Sequence, residues 1–258
     1  MTSSSFECFG VRVDGLRLED VIKRVAEATR TLWIVTLNPE ILLEARRNIA
    51  YRDVLNRADM RIVDGVGLLA FGRLRGSRPE RTTGVDLAQA LVERAASQGQ
   101  TVAFVGGEKG IREKALAHQT KRFPTLKGIQ TPTGTISLTG QGDEQDDEAR
   151  HRLSLLAPEV ILVALGHPKQ EFWISRHINE FPTAKVIVGI GGTFDYWSGA
   201  VPRAPRWMRT IGLEWLFRLI REPKRFKRIV NAVVLFPVLV MVDAVRGRHR
   251  SIPMDITS

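Results

Sequence analysis

Cysteine is nearly absent from this sequence of 258 residues. A single cysteine, Cys8, excludes an internal disulfide, and no cluster of cysteine and histidine has the spacing of a zinc site. We interpret Cys8 as an ordinary small apolar residue. The N-terminus also lacks a basic segment followed by an apolar run, so no secretory signal is evident. These absences predict a protein of a reducing compartment, the cytoplasm.

Long apolar runs and nucleotide-binding signatures are missing as well. The apolar stretch VVLFPVLVMV at 233–242 is shorter than the roughly 20 residues of a membrane-spanning helix, and Pro237 interrupts it. No GxGxxG fingerprint opens a helix after a strand, which argues against hydride transfer with a dinucleotide. No helix-turn-helix or aromatic stacking motif is found, so we predict no nucleic-acid partner.

The net charge of +10 is concentrated towards the C-terminal end. From Val201 onward, 12 Lys and Arg face 4 Asp and Glu, a net of +8, which leaves +2 for the first 200 residues. This segment is typical of an amphipathic helix on an anionic membrane surface or of a phosphate-binding site. The alternative is a helical hairpin over 205–245 that packs on the core with its arginines in solvent. Four arginines share one helical face: Arg218, Arg221, Arg225 and Arg228.

The first 200 residues alternate between strand-like and helix-like segments, which predicts a parallel sheet flanked by helices. The apolar runs are LWIVTLN (32–38), MRIVDG (60–65), TVAFVGG (101–107), EVILVALG (159–166) and AKVIVGIGG (184–192). The helical segments are 39–48, 85–97, 111–123, 144–157 and 168–181.

Polar residues and glycines follow each of these strands, at the edge of the sheet where ligands bind in such folds. Taken singly, Asn38 and Asp64 are better explained as helix N-caps than as catalytic residues. Arg81 can equally be a solvated loop charge, and Gln170 part of an exposed first helical turn. The acidic run DEQDDE at 143–148 is interpreted as solvent-exposed rather than metal-binding. The candidates in or beside the turns after the strands are Thr36, Asn38, Asp64, Arg81, Gly106, Gly107, Gln170, Gly192, Phe194 and Asp195.

Seven blocks in order, within residues 10–230, resemble the WecG/TagA/CpsF family, glycosyltransferase family 26. The blocks are TLNPE (36–40), DGVG (64–67), RTTGVD (81–86), FVGG (104–107), GHPKQEFW (166–173), GIGGTFDYWSGAVPRAPRWM (189–208) and GLEWLFRLIREPKRFKR (212–228).

The resemblance implies an α/β, Rossmann-like core over 1–203 and a basic helical C-terminal appendage over 204–258. It implies an inverting glycosyltransferase that needs no metal or other cofactor. Such an enzyme transfers a hexosyl group, N-acetylmannosamine, its uronate or glucose, from a UDP-sugar to a polyprenyl-diphosphate-linked saccharide in cell-envelope or exopolysaccharide synthesis. The resemblance also implies an enzyme that is peripheral on the inner face of the membrane. A homo-oligomer is left open, and a nucleotide-sugar-binding or regulatory protein without catalysis is the alternative.

The family's active-site positions fall on Asp64, Thr36, Asn38, Arg81 and Gln170, and the chemistry of these and the remaining candidates suggests their roles. Asp64 would be the catalytic base on the acceptor hydroxyl. Thr36, Asn38 and Gln170 would hydrogen-bond the sugar, and Arg81 with an appendage arginine would stabilise the diphosphate. The backbone N–H groups of Gly106 and Gly107 would assist with the diphosphate. Gly192, Phe194 and Asp195 would hold the nucleotide, with Phe194 or Tyr196 near the base.

Overall fold

The structure is a computed structural model that describes residues 5–205, 207–208, 213–221 and 226–245, without the side chains of residues 218, 227, 228, 244 and 245. Its centre is an eight-stranded sheet with the strand order β1-β2-β4-β3-β8-β7-β5-β6. Only the β1–β2 pair is antiparallel. The strands are β1 Ser5–Cys8, β2 Val11–Asp14, β3 Leu32–Leu37, β4 Met60–Val63, β5 Thr101–Gly106, β6 Lys127–Thr131, β7 Val160–Ala164 and β8 Val186–Gly189.

Helices cover both faces of the sheet, which confirms the predicted fold class. They are α1 Leu18–Glu27, α2 Pro39–Arg47, α3 Ile49–Asn56, α4 Val66–Leu74, α5 Gly84–Ser97, α6 Ile111–Arg122, α7 Glu144–Leu156, α8 Lys169–His177 and α9 Thr193–Trp197. The five strands predicted from apolar runs are all present. Sequence reasoning missed β1, β2 and β6, because polar or charged residues interrupt the apolar residues of the first two and β6 is mostly polar.

The core lies on both faces of the sheet, and β3 shows why. Trp33, Val35 and Leu37 pack in one hydrophobic cluster with α2 and α3, whereas Ile34 packs in the other with α5. Successive side chains of a strand point to opposite faces, so a strand buried on both faces appears as one continuous apolar run. Thr36 therefore lies on the same face as Ile34, beside Gly84 of α5.

The described part of the appendage is helical and packs on this core. Phe236 is 1% exposed and its ring meets that of Phe9 edge-on at 5.8 Å, and Val240 is buried in the same cluster. Arg46 and Asp243 form an ion pair at 3.5 Å. This segment therefore packs on the core, which is one part of the helical-hairpin alternative. The boundary between the core and the appendage at residue 203 stays a prediction. The helices are α10 Glu214–Arg221, α11 Phe226–Val230 and α12 Phe236–Val245, with a π-helical turn at Asn231–Leu235.

The predicted membrane-facing stretch is divided between two environments. Phe236 and Val240 face the core, while Val234, Val238 and Met241 are exposed at 56%, 51% and 65%. The exposed residues are spaced four and three apart, so they form one helical stripe. Within the described ranges, no helix is long and apolar enough to cross a bilayer.

Candidate active site

A cavity of about 600 Å³ opens at the carboxyl ends of the central parallel strands. The strands β4, β3, β8, β7 and β5 are neighbours in the sheet, so the turns that follow them meet at one place. A larger groove of about 900 Å³ lies elsewhere, against α3, α7 and α8, and holds none of the predicted site residues. The predicted residues that line the cavity are Thr36, Asn38, Asp64, Arg81, Gly107, Gln170, Gly192, Phe194 and Asp195.

Asp64 lies at the centre of this arrangement, directly after β4. Helix α4 begins after an N-cap at Gly65, and no side chain caps it, so the interpretation of Asp64 as an N-cap is wrong. The Asp64 carboxyl is half-buried in the cavity wall and accepts a hydrogen bond from the Gly84 N–H. Burial raises its pKa to about 6, against the opposing effect of Arg81, and the negative charge of Glu214 raises it further. A carboxylate with such a pKa can act as a base near neutral pH.

Gly65, beside Asp64, lets two turns of the cavity wall pack closely. A Cβ atom at Gly65 would lie 2.6 Å from Cδ of Pro39, the first residue of α2. The turns after β3 and β4 therefore approach each other more closely than a side chain at this position would allow. This contact brings Asn38 and Asp64 to the same side of the cavity.

Arg81 is held between the core and the appendage. Its Nε donates to the backbone carbonyl of Asp64 at 2.7 Å, and its Nη2 lies 3.5 Å from Oε2 of Glu214 on α10. The interpretation of Arg81 as a solvated loop charge is therefore wrong. Glu214 also lies 3.9 Å from Nε of Arg203, whose Nη2 donates to Asp86 at 2.8 Å.

Sequence reasoning missed Arg203 and Glu214 as site residues, although both lie within the blocks that resemble the family. The contact of Glu214 with Arg81 and that of Arg203 with Asp86 join residues 133 and 117 positions apart. No local pattern identifies such partners. Sequence reasoning also missed a contact between His167 and Glu40 in the cavity wall. Nε2 of His167 lies 3.6 Å from Oε2 of Glu40.

Asn38, Thr36 and Gln170 all make structural hydrogen bonds as well as lining the cavity. Oδ1 of Asn38 caps α2 by accepting from the Ile41 N–H at 3.0 Å, which confirms the capping interpretation. Thr36 donates its hydroxyl to the Gly189 carbonyl at 3.1 Å. Gln170 is 3% exposed and accepts from the Gly191 N–H at 3.2 Å, so the interpretation of an exposed first turn is wrong.

The two glycines at the end of β5, Gly106 and Gly107, do not match their predicted role. Gly106 is not among the residues that line the cavity, and its carbonyl accepts a hydrogen bond from Arg112. The N–H of Gly107 donates to the Ala164 carbonyl at 2.9 Å, so it is not available to a phosphate. Both have positive φ, 78° and 73°, which turns the chain away from the sheet at this point.

Gly192, Asp195 and Tyr196 line the cavity from the turn into α9 and from α9 itself. Phe194 also contributes to the wall, but its ring is 1% exposed and stacks on Phe104 with centroids 5.2 Å apart. A ring buried to that extent offers little surface to a nucleotide base. Of the two aromatic candidates, Tyr196 is the more accessible.

The acidic run at 143–148 is only partly exposed, which corrects one prediction. Asp146 is fully buried and accepts from Nε1 of Trp173 at 3.0 Å, and Asp143 caps α7. In the part of the chain that the structure describes, no three His, Cys, Asp or Glu side chains are grouped to hold a metal ion.

Three of the four predicted appendage arginines fall outside what the structure describes. Arg225 lies outside the described residues, and so do the side chains of Arg218 and Arg228. Arg221 is exposed, with its guanidinium 5.7 Å from the centre of the Phe217 ring, and does not line the cavity.

Comparison with known protein families identifies the family of this chain. The model of the Glycosyl transferase WecG/TagA/CpsF family matches residues 6–250. The match spans nearly the whole chain, and the chain therefore belongs to this family.

Two relatives make the enzymatic class more specific. A protein of Bacillus spizizenii named N-acetylglucosaminyldiphosphoundecaprenol N-acetyl-beta-D-mannosaminyltransferase is 34% identical over 200 residues, which cover 77% of this chain and 75% of the relative. A protein of the same name from Staphylococcus aureus is 30% identical over 233 residues, covering 88% and 89%. The chain is a glycosyltransferase.

Proposed function

We propose that the enzyme transfers an N-acetylmannosamine-type group from a UDP-sugar to a polyprenyl-diphosphate-linked saccharide, with inversion at the anomeric carbon, in cell-envelope polysaccharide synthesis. The names of the relatives support this group and an acceptor that carries N-acetylglucosamine on undecaprenyl diphosphate. The observation that carries the proposal is Asp64, a half-buried carboxyl with a pKa of about 6 in the cavity at the carboxyl ends of the strands. Inversion needs such a base on the acceptor hydroxyl, opposite the leaving group.

The charge of the cavity wall indicates how the leaving diphosphate is stabilised. Among the wall residues that the structure describes, five are acidic and only Arg81 and Arg203 carry a guanidinium. A departing diphosphate requires an excess of positive charge. We assign this charge to the appendage residues Arg218, Arg225 and Arg228, and we infer that no metal ion is required. The acidic residues are Glu40, Asp64, Glu108, Asp195 and Glu214.

The appendage also supports a position of the enzyme at the membrane. Ala232, Val233 and Pro237 line the cavity, and the exposed stripe of Val234, Val238 and Met241 follows on the same helical segment. An apolar stripe with arginines nearby suits a helix that lies in the headgroup region of an anionic bilayer. We infer that the enzyme is peripheral on the inner face of the membrane, where the polyprenyl chain of the acceptor resides.

A donor screen tests the proposal directly. Purified protein is mixed with UDP-N-acetylmannosamine, its uronate, UDP-glucose or UDP-N-acetylglucosamine, together with synthetic polyprenyl-diphosphate-N-acetylglucosamine, in the presence and absence of a chelator. UDP release gives the rate, and nuclear magnetic resonance of the product gives the anomeric configuration. We expect turnover with an N-acetylmannosamine-type donor, an inverted product and an unchanged rate with chelator. Binding of UDP without turnover of any of these donors would overturn the proposed donor and acceptor.

A further inference from the structure

Glu171 is a buried carboxylate to which the mechanism above gives no role. It is 1% exposed, and no Lys, Arg or His of the described ranges forms an ion pair with it. Its carboxyl group accepts hydrogen bonds from the hydroxyl of Tyr51 at 2.9 Å and from Nε2 of Gln170 at 2.7 Å. Burial raises the pKa of Glu171, and these two hydrogen bonds oppose the shift. A buried carboxylate without a cation is destabilising unless something else offsets it.

Glu171 orients the side-chain amide of Gln170. The two ends of a glutamine amide are nearly identical in shape, so packing alone does not decide which end points where. Oε1 of Glu171 accepts the 2.7 Å hydrogen bond from Nε2, so Glu171 binds the amino end of the amide. The carbonyl end must then point the opposite way, where it accepts from the Gly191 N–H at 3.2 Å.

The orientation of Gln170 in turn determines the shape of the cavity wall. Nε2 of Gln170 lies against the end of β8, where a Cβ atom on Gly189 would be only 2.6 Å from it. The turn after Gly189, Ile190 to Gly192, lines the cavity. Thr36 holds the same strand end through its hydrogen bond to the Gly189 carbonyl. Two residues that line the cavity thus fix one turn.

We propose that Glu171 and Tyr51 are positioning residues that act through Gln170 and keep the Gly191 turn in the conformation that receives the donor sugar. Tyr51 reaches Glu171 from α3 and is fully buried, with its ring 5.5 Å from that of Phe172. Its pKa is raised well above the ordinary tyrosine value, mainly by burial, so its hydroxyl stays protonated and donates. The kinetic part of this inference rests on the proposed function, and the structural part does not.

The test uses Glu171→Gln, which keeps the shape of the side chain and lets it donate as well as accept. We expect the donor KM to rise about tenfold with a smaller change in kcat, as for the loss of one hydrogen bond. Hydrogen exchange of the Gly191 amide should accelerate about tenfold as well, measured without substrate. Tyr51→Phe should also raise the donor KM and accelerate exchange of the Gly191 amide.

A double-mutant cycle separates positioning from general destabilisation. In a Gln170→Ala background, Glu171→Gln should produce no further change in donor KM or in Gly191 exchange. Asp146→Asn is the matched control, since Asp146 is a buried carboxylate beside α8 that bonds Trp173 instead; it should lower the melting temperature and leave Gly191 exchange unchanged. Unaltered Gly191 exchange in Glu171→Gln, or an equal effect in both backgrounds, would overturn the inference. Absence of turnover in the wild-type protein would refute the proposed function alone, because exchange is measured without substrate.

Discussion

Nε of Arg81 donates a 2.7 Å hydrogen bond to the backbone carbonyl of Asp64, while its Nη2 lies 3.5 Å from Glu214 of the appendage. A single guanidinium therefore connects the candidate base to the C-terminal segment. The positive charge of Arg81 lowers the pKa of the Asp64 carboxyl, and Glu214 raises it. The pKa of Asp64 thus depends on the position of Glu214, and therefore on how the appendage packs.

Asp64→Asn should strongly slow transfer and stabilise the fold. Replacing the base with an amide should lower the rate about 10²- to 10⁴-fold while leaving UDP binding intact. Because burial raises the pKa of Asp64 to about 6, folding favours the protonated form, and stability is lost as the pH rises from about 4 to above 6. The amide removes this loss, so the unfolding free energy at pH 7.5 should increase by about 1–3 kcal/mol, measured by thermal or urea melting.

The matched control for that variant is Asp53→Asn, which changes an exposed aspartate on α3. Its rate and its melting temperature should equal those of the wild type. Near-normal turnover of Asp64→Asn would contradict the role of Asp64 as base.

The pH dependence of transfer should report Asp64 and its neighbour Glu214. We expect kcat/KM to rise with pH through a midpoint of about 6, because only the ionised carboxylate can accept the proton. Glu214→Gln removes a negative charge that raises the pKa of Asp64, so the midpoint should move to lower pH. Glu93→Gln, an exposed acid on α5, is the control and should leave the midpoint in place. An upward or absent shift in Glu214→Gln would refute this coupling.

Substitutions at Asn38 can separate its cap from its contact with substrate. Asp caps a helix about as well as Asn, so Asn38→Asp should keep the melting temperature but reduce kcat/KM, because the amide donor is lost. Asn38→Ala should reduce kcat/KM and also destabilise the fold by about 1 kcal/mol. Asp143 caps α7 by accepting from the Asp146 N–H at 3.2 Å and lies away from the cavity wall. Asp143→Ala should therefore destabilise the fold by a similar amount and leave transfer unchanged. Equal kcat/KM in Asn38→Asp and wild type would restrict Asn38 to capping.

The exposed stripe of α12 and the preceding turn should determine membrane affinity. A triple variant, Val234→Ser, Val238→Ser and Met241→Ser, removes three apolar side chains without altering Phe236 or Val240 of the core. We expect binding to liposomes containing phosphatidylglycerol to fall at least about tenfold, with UDP affinity unchanged. The control replaces Leu138 and Leu155, which are 67% and 72% exposed elsewhere, with serine. Liposome binding that falls equally in both variants would contradict a specific stripe.

The strands and the edge of the sheet that carries the site could be predicted from the sequence. Each of β3, β4, β5, β7 and β8 lies within an apolar run, because a parallel strand buried on both faces admits few polar residues. Polar residues follow these runs, and parallel strands bring their carboxyl ends to one edge. Helix starts at Pro39 and Asp143 were also predictable from local chemistry, since caps and first-turn residues act within one turn.

Only the tertiary structure decided the pKa of Asp64 and the long-range contacts that hold the site residues in place. Tyr51 and Glu171 are 120 positions apart, and Arg81 and Glu214 are 133 apart, so no periodicity or motif spacing contains their contacts. The burial that raises the pKa of Asp64 comes from elements packed around it, and not from its neighbours in sequence. The sequence by itself determined which elements form and which residues follow the strands, because those signals are local. Packing between distant elements decided which of these side chains are buried, paired or able to act on a substrate.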